Sequence, residues 1–479
     1  MASTTKNTFY LLVAQVYQKM MAAVYYFILA RYLGVENFGK YMFVFALVGM
    51  LLIFIDFGFS GVMTREIARD KEKTQKYLNN ILGFKLVVSL LSCLIIFFLV
   101  RLLHYSVIIQ NLTYLVVISS ILGSFGSTFY QVFRGHFNFK YEALGTILSQ
   151  TTLVVVGVIL MKLKVNLLLM ILPYICANAI FLINSLKFFK RQTGIWFKFT
   201  FDLLEIKQLM KLSLPFFIAG IFATLYLNID TILLSHLGND TMVGLYNAAK
   251  KLPNVILALI PAAFSSAIYP ALSKHFFSSK QETSRIFQEA LFYLLLIILP
   301  IVFGTIILSD SLITLFYGPN YLPASIILKI LILALPFTFF DILAITLLNA
   351  CNRQKVNMIN QGIGVSVLII FAIILIPRLA QIGIAIAFLI SYLFLFVIEL
   401  CWVLKLIKIH KRYFIMKIGG IFLSCLIMSG LIMFLQNKCH LVVLILIGIG
   451  SYFLSACLLK IISKEELIKV KSLILFKNV

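Results

Sequence analysis

Five lysines stand inside apolar stretches of this 479-residue chain, Lys19, Lys85, Lys250, Lys251 and Lys329, and four acids share that setting, Asp56, Asp230, Asp341 and Glu399. A charge at the centre of an apolar helix costs about 2.5–3.5 kcal/mol on insertion scales, so each is a candidate for handling a charged ligand or ion. Lys19 follows Asn7 by twelve residues, roughly 18 Å of helix, too deep for its stem to reach water. Gln15, Lys19, Ala22, Ala23 and Tyr26 recur at helical spacing and form a polar, small-residue face suited to a cavity wall. Lys250 and Lys251 follow Tyr246 and Asn247 and point about 100° apart, so one faces a cavity while the other packs or reaches a headgroup. The candidate set for an anion is therefore Lys19, Lys250 and Lys251, with Gln15, Tyr26 and Asn247 as polar lining. Lys85 and Lys329 fall within two turns of their expected helix starts, where snorkelling explains them. Asp230, Asp341 and Glu399 are candidates for coupling to H+ or Na+, since a buried carboxylate can hold either. Each could equally be half of an ion pair with a lysine, and Asp56 and Glu399 could simply be interfacial.

The surrounding elements follow from composition. At 62% hydrophobic and 12% charged, the chain holds more apolar surface than a water-soluble domain can bury, in blocks of twenty or more residues, and it reads as an all-α integral membrane protein. Its formal charge of +24 would suit nucleic acid, but the basic residues punctuate apolar blocks and form no basic stripe on a soluble domain. Segments of spanning length run over about 7–33, 38–62, 81–102, 112–133, 142–161, 167–189, 212–236, 241–269, 287–308, 323–350, 356–376, 382–404, 414–435 and 441–462. About fourteen transmembrane helices are expected. The first is too long and too polar, with Gln15, Gln18 and Lys19, to be a cleaved signal. Pro253, Pro261, Pro270, Pro300 and Pro336 should interrupt helices eight to ten, while Gly123, Ser124, Gly126, Ser127 and Thr128 should let another helix approach the fourth closely. Seven cysteines are scattered, six histidines do not cluster, and no CxxC or His/Cys ligand spacing, catalytic triad or nucleotide loop occurs. This argues against a metal site, a cofactor or an enzyme.

A repeat organises the chain. Leu33-Gly34, a short polar turn, then Gly39-Lys40-Tyr41 returns as Leu237-Gly238, a turn, then Gly244-Leu245-Tyr246. In each copy a glycine can end one helix in a left-handed conformation, and an acidic or amide residue beyond it can cap the next. Lys71-Glu72-Lys73-Thr74-Gln75 is likewise echoed by Lys280-Gln281-Glu282-Thr283-Ser284. Duplication gives two six-helix lobes, residues 1–190 and 212–404, a cytoplasmic interfacial linker at 191–211 rich in aromatic and basic residues, and helices thirteen and fourteen with a tail at 405–479. With the N-terminus inside, twenty-nine of the 41 Lys and Arg residues lie on the cytoplasmic side and seven outside, so both termini should be cytoplasmic.

These residues resemble a family. The Leu33-Gly34 to Tyr41 hairpin, Asp56-Phe57-Gly58-Phe59 leading to Arg65-Glu66-Ile67-Ala68-Arg69, Asp230-Thr231-Ile232-Leu233 running on to Gly244-Leu245-Tyr246-Asn247-Ala248-Ala249-Lys250-Lys251, and Leu348-Asn349-Ala350 before Gln354-Lys355 look like the polysaccharide-transport flippases of bacteria. That superfamily also contains multidrug extrusion antiporters and the peptidoglycan-precursor flippase. The resemblance implies two lobes around a central cavity, alternating access, a place in the bacterial inner membrane, and an undecaprenyl-pyrophosphate-linked oligosaccharide as cargo for O-antigen or capsule. Membrane lipids and a polysaccharide polymerase would be its partners, and nucleic acid would not.

Three functions compete. A flippase needs cations along the path, because a pyrophosphate cannot cross about 30 Å of hydrocarbon bare. A cation-coupled small-molecule or multidrug exporter on the same fold would instead depend on interior acids. A membrane enzyme that polymerises or ligates glycans would need a large outer loop, and none is long enough. The basic excess ranks the flippase first. A reporter active only in the cytoplasm should respond when fused after Lys198 or Val479, and one active only outside should respond after Glu36 or Asp240. The opposite response at Val479 would mean an odd number of crossings.

Overall fold

A computed structural model describes residues 2–461 apart from 195, 277, 409, 410 and 437, so Lys464, Lys469, Lys471 and Lys477 of the expected tail lie outside the described residues. The chain forms two compact units, Met1–Asn247 and Ala248–Val479. Among the described residues every regular element is helical, as hydrocarbon demands of a backbone that has no water to bond with. Among those residues eleven helices are long and apolar enough to cross a membrane. Two of them, Phe9–Arg69 and Gln354–Leu406, have 61 and 53 residues, more than twice what one crossing needs. Each contains a backbone break. The chain is a multi-pass membrane protein.

In the first unit, α1 (Ala2–Asp56) is broken at Gly34, whose φ of 72° and ψ of 171° belong to a region that only glycine occupies readily. The second crossing ends at Asp56, short of the expected residue 62, because Phe57 and Gly58 take φ of 45° and 72° and a separate short helix, α2 (Phe59–Arg69), follows. Next come α3 (Thr74–Leu102), α4 (Val107–Gly135), α5 (Lys140–Lys162), α6 (Leu172–Thr193) and α7 (Leu203–Leu237). The small face of α4 receives α6 as expected: a Cβ on Gly126 would stand 2.8 Å from Phe181 and 3.2 Å from the Cα of Leu182, and one on Gly123 3.0 Å from Asn178. Asn178 then donates to Ser119 at 2.9 Å.

The echoed segments turn out to be helix starts. Asp70 accepts from the Glu72 N–H just before α3, and Ser279 accepts from the Glu282 N–H at the start of α9 (Lys280–Tyr317). The linker has no regular secondary structure over residues 196–202 and is fastened to α3: the N–H groups of Lys198 and Asp202 donate to the side chains of Asn79 and Asn80 at 2.9 Å each, and that of Thr200 to the Asn79 carbonyl. Asp202 caps α7 through the N–H groups of Leu204 and Glu205, so this helix begins nine residues before the expected 212.

The second unit holds most of α8 (Asp240–His275), then α9, α10 (Ala324–Leu333), α11 (Leu335–Ala350), α12 (Gln354–Leu406), α13 (Lys411–Leu435) and α14 (Leu441–Leu458). Helices α8 and α9 run on through Pro253, Pro261, Pro270 and Pro300. Only Pro336 marks a change of helix, sitting in the first turn of α11. A proline removes one backbone bond, and surrounding helices let the rest of the ladder continue. The break in α12 falls at Ala380, φ 52°. One core joins α9 to α11 through Phe287, Leu291, Leu294, Phe339, Phe340 and Leu343, and another joins α9 to α13 and α14 through Leu296, Cys425, Met428 and Tyr452.

The repeated hairpins are packed against each other within the first unit. A Cβ on Gly39 would run into the carbonyl oxygen of Asp240, and one on Gly244 into that of Val35. Gly39→Ala or Gly244→Ala must therefore move backbone, and should cost about 1–3 kcal/mol, read as a lower melting temperature in detergent. Gly450→Ala, which meets nothing within 4 Å and sits in a helix, should be neutral or slightly stabilising.

Candidate functional site

Charged side chains in the membrane segments fall into sets that sequence spacing does not separate. The first joins α1, α7 and α8 at the packed hairpins. Asp230 is fully buried. Its carboxylate accepts the Tyr246 hydroxyl at 2.7 Å and the Thr231 N–H at 2.6 Å, and the Thr231 hydroxyl meets the Asn247 amide at 3.3 Å. Tyr26 donates to the Asn247 carbonyl at 2.8 Å, its ring edge-on to Phe38. Two of the expected lining residues, Tyr26 and Asn247, are thus linked to the candidate coupling acid Asp230 in one network. Asn239 caps α8 through the Met242 N–H, as an amide in the turn should. Gly238, however, has φ of −130° and does not take the left-handed conformation expected of it. The glycines that matter for close approach are Gly39 and Gly244, where the two hairpins touch.

Lys19 and Gln15 are exposed on α1, and Ala22, Ala23 and Tyr26, the last a member of that network, are partly exposed along the same face. Their neighbour Tyr17 bonds to Thr151 of α5 at 2.8 Å.

Lys85 corrects a sequence expectation. Because α3 starts at Thr74 and not near residue 81, Lys85 lies eleven residues in, about 16 Å along the helix. Its side chain is 1% exposed and its Nζ donates to Asp56 Oδ1 at 3.0 Å and to the Ser124 hydroxyl at 3.1 Å. Ser60 donates to the same carboxylate oxygen at 2.8 Å. This buried cross-link, absent from the sequence-level candidates, ties the end of the second crossing to α3 and α4. Its signal was available: Lys85, Ser89 and Ser92 are all buried on α3 while Leu90, Leu94 and Phe98 are exposed, so the polar stripe points inward and the apolar one toward lipid. Lys329 does behave as expected, half-exposed and 3.6 Å from Asp310.

In the second unit Lys250 is buried and Lys251 is partly exposed, which makes Lys251 the more accessible of the pair. The acids Asp341 of α11 and Glu399 of α12 come together. Gln361 donates to Asp341 at 2.8 Å, the two carboxyls lie close enough to interact, and neither oxygen of Glu399 has a hydrogen-bond partner among the described residues. Antiparallel packing across the α12 break explains the meeting: the Ser391 hydroxyl donates to the Gly364 carbonyl at 2.8 Å, Leu395 lies against Gly364, and the next turn brings Glu399 level with the helix start. Two neighbouring carboxylates with no counter-charge between them cannot both stay ionised cheaply in an apolar setting, so the pair is suited to hold a proton or a monovalent cation.

The Lys85–Asp56 pair generates a test of asymmetry. Asp56→Asn leaves a deeply buried ammonium without its counter-charge and should cost about 3–5 kcal/mol. Lys85→Met leaves a carboxylate that is 30% exposed and should cost less. Detergent melting curves on matched amounts of protein would reveal equal losses if the pair were energetically symmetric.

Known proteins match this chain along most of its length. The family model described as polysaccharide biosynthesis protein matches residues 4–276, and the MatE model matches residues 215–374. The Putative O-antigen transporter of Escherichia coli strain K12 is 26% identical over 341 residues, covering 70% of this chain and 80% of that protein. The Probable low-salt glycan biosynthesis flippase Agl15 of Haloferax volcanii is 24% identical over 428 residues, 88% of each. Among solved structures the lipid II flippase MurJ in its inward closed conformation superposes with a TM-score of 0.76 at 20% identity, over 94% of this chain and 98% of that one, a likeness of fold.

Proposed function

Because the chain belongs to the polysaccharide biosynthesis protein family, we propose that it is a flippase carrying undecaprenyl-pyrophosphate-linked oligosaccharide repeat units from the cytoplasmic to the outer leaflet by alternating access. It would serve O-antigen or capsule assembly in the bacterial cytoplasmic membrane, with both termini cytoplasmic and the polymerase machinery downstream, and would act as a transporter and not an enzyme. The relatives named as an O-antigen transporter and a glycan flippase support this substrate class, as does the lipid II flippase fold.

One observation carries the choice of an anionic cargo. Asp230, Asp341 and Glu399 are 0%, 5% and 0% exposed, whereas Lys19 is exposed and Lys251 partly so. Apart from Asp56, which is engaged by Lys85 and Ser60, the charged groups a cargo could touch at depth are cations. Lys19 and Lys251 would neutralise the pyrophosphate, Lys250 would support them from a buried position, and Gln15, with Tyr26 and Asn247, would supply polar contacts. The Asp341–Glu399 pair would exchange the coupling H+ or Na+, with Asp230 as a further candidate.

The second reading, a cation-coupled small-molecule exporter, draws on the MatE match and on that same acidic pair. Lys19→Ala should cut glycan export per inserted protein by tenfold or more, equivalent to about 1.4 kcal/mol, and Lys19→Arg should keep part of it because charge and position survive. Undecaprenyl-linked glycan should accumulate in the defective strain, measured by mass spectrometry. Full export by Lys19→Ala at normal abundance, with loss confined to Asp341→Asn and Glu399→Gln, would favour the exporter.

A further inference from the structure

The connector between α6 and α7 carries charge and aromatic surface that moving a cargo does not require. Lys187, Lys190, Arg191, Lys198, Lys207 and Lys211 are exposed along it, and among the described residues none of the six pairs with an acid. The stretch has two acids and both are engaged: Glu205 takes Lys76 of α3 at 2.6 Å, and Asp202 is spent capping α7. Beside the bases, Trp196, Phe199, Phe201, Leu203 and Leu204 stand 46–76% exposed. The Lys190 ammonium lies 4.5 Å from the Trp196 ring centroid, so at one point the two kinds of group share a face.

This surface is held in shape. Asn79 and Asn80 fasten the backbone at Lys198, Thr200 and Asp202, and a Cβ on Gly83 would collide with the Thr200 carbonyl, so the connector lies directly on α3. Phe197 anchors it from the inner side, 5.2 Å from Phe129. Its height follows from continuity, because it joins two membrane-crossing helices end to end, Leu169–Gln192 and Leu203–Leu237. A segment at the ends of two spanning helices sits at headgroup level, where aromatic rings settle among glycerol and carbonyl groups and ammonium or guanidinium groups meet phosphates.

We infer that residues 187–211 form a binding surface for the anionic phospholipid headgroups of the leaflet that the ends of α6 and α7 reach. The six unpaired bases select for net negative lipid, the exposed rings and leucines insert beside it, and the fastening to α3 spares the cost of ordering the segment on binding. The inference rests on the membrane fold and is independent of which cargo is carried.

The test uses the two tryptophans of the chain. The full-length Trp402→Phe protein, with Trp196 as its single reporter, is reconstituted in phosphatidylcholine vesicles containing equal fractions of brominated phosphatidylglycerol or brominated phosphatidylcholine. Trp196 fluorescence should be quenched about twofold or more strongly by the brominated anionic lipid, and the excess should fade in high salt, which screens headgroup charge. The excess should also vanish in Lys190→Gln/Arg191→Gln/Lys198→Gln. Equal quenching by the two lipids would overturn the inference by showing an apolar contact without charge selection, and no quenching by either would overturn it by placing the segment in water or on a protein. Should Trp402→Phe fail to accumulate, the difference between the parent protein and Trp196→Phe yields the same comparison, and the salt series on unaltered bases keeps the outcome decidable if the triple variant misfolds.

Discussion

A charge or an unbonded peptide group inside hydrocarbon has nowhere to turn except to the protein itself, and this cost shapes the molecule at every level. It makes the described residues helical and sends charged side chains to the few places where a partner or water can meet them. Lys85 shows the rule at its strictest, buried among α3 neighbours and met by Asp56 and Ser124. Such a pair contributes little net stability compared with an apolar contact, but it is expensive to split. It therefore works as a positional lock on the Phe57–Gly58 break, holding the end of the second crossing against α3 and α4. The same cost makes the Glu399 carboxylate conspicuous, because it stands beside Asp341 with no hydrogen-bond partner among the described residues.

The repeated hairpin was legible in sequence, but its purpose was not. Leu-Gly, a turn and Gly-x-Tyr recur, and a local reading assigns the glycines to helix ends, which holds for the break at Gly34. Gly39 and Gly244 answer a tertiary demand, since each lies where the other hairpin's backbone passes, and no local rule exposes a contact between residues two hundred positions apart. The tyrosines that follow each glycine share this logic. Tyr41 is buried with its hydroxyl toward the Met170 carbonyl, and Tyr246 is buried with its hydroxyl on Asp230. Each brings apolar bulk with one polar tip that must find a partner.

Helix starts were the weakest part of the sequence reading, and the site suffered for it. Apolar runs mark the hydrocarbon-facing middle of a helix, whereas α3 and α7 begin about two to two and a half turns earlier, in polar stretches where Asp70 caps the turn leading into α3 and Asp202 caps α7. That shift turned Lys85 from a shallow residue into a deep one. The Asp341–Glu399 encounter was hidden for a different reason. Both acids were visible, but their meeting depends on how α12 doubles back at Ala380 and on the register set by Ser391 and Gly364. Fold class and the close approach at Gly126 needed only composition and helical spacing.

On the proposed reading, accessibility, more than the number of charges, would separate an anion path from a cation path. Net charge alone would have been misleading, because most of the basic excess belongs to loops and reports orientation. Within the helices the numbers of lysines and acids are nearly balanced, and what differs is their surroundings. The acids at depth are enclosed by tyrosine, threonine, amide or a second acid. Lys19 is exposed on α1, and Lys251 is partly exposed on α8. A group enclosed in this way can exchange a small ion such as H+ or Na+ but cannot touch an oligosaccharide headgroup, whereas an accessible ammonium can follow a phosphate through a change of conformation. Cargo recognition and energy coupling would then fall to different residues, so a conformational change, and not direct contact, must connect them.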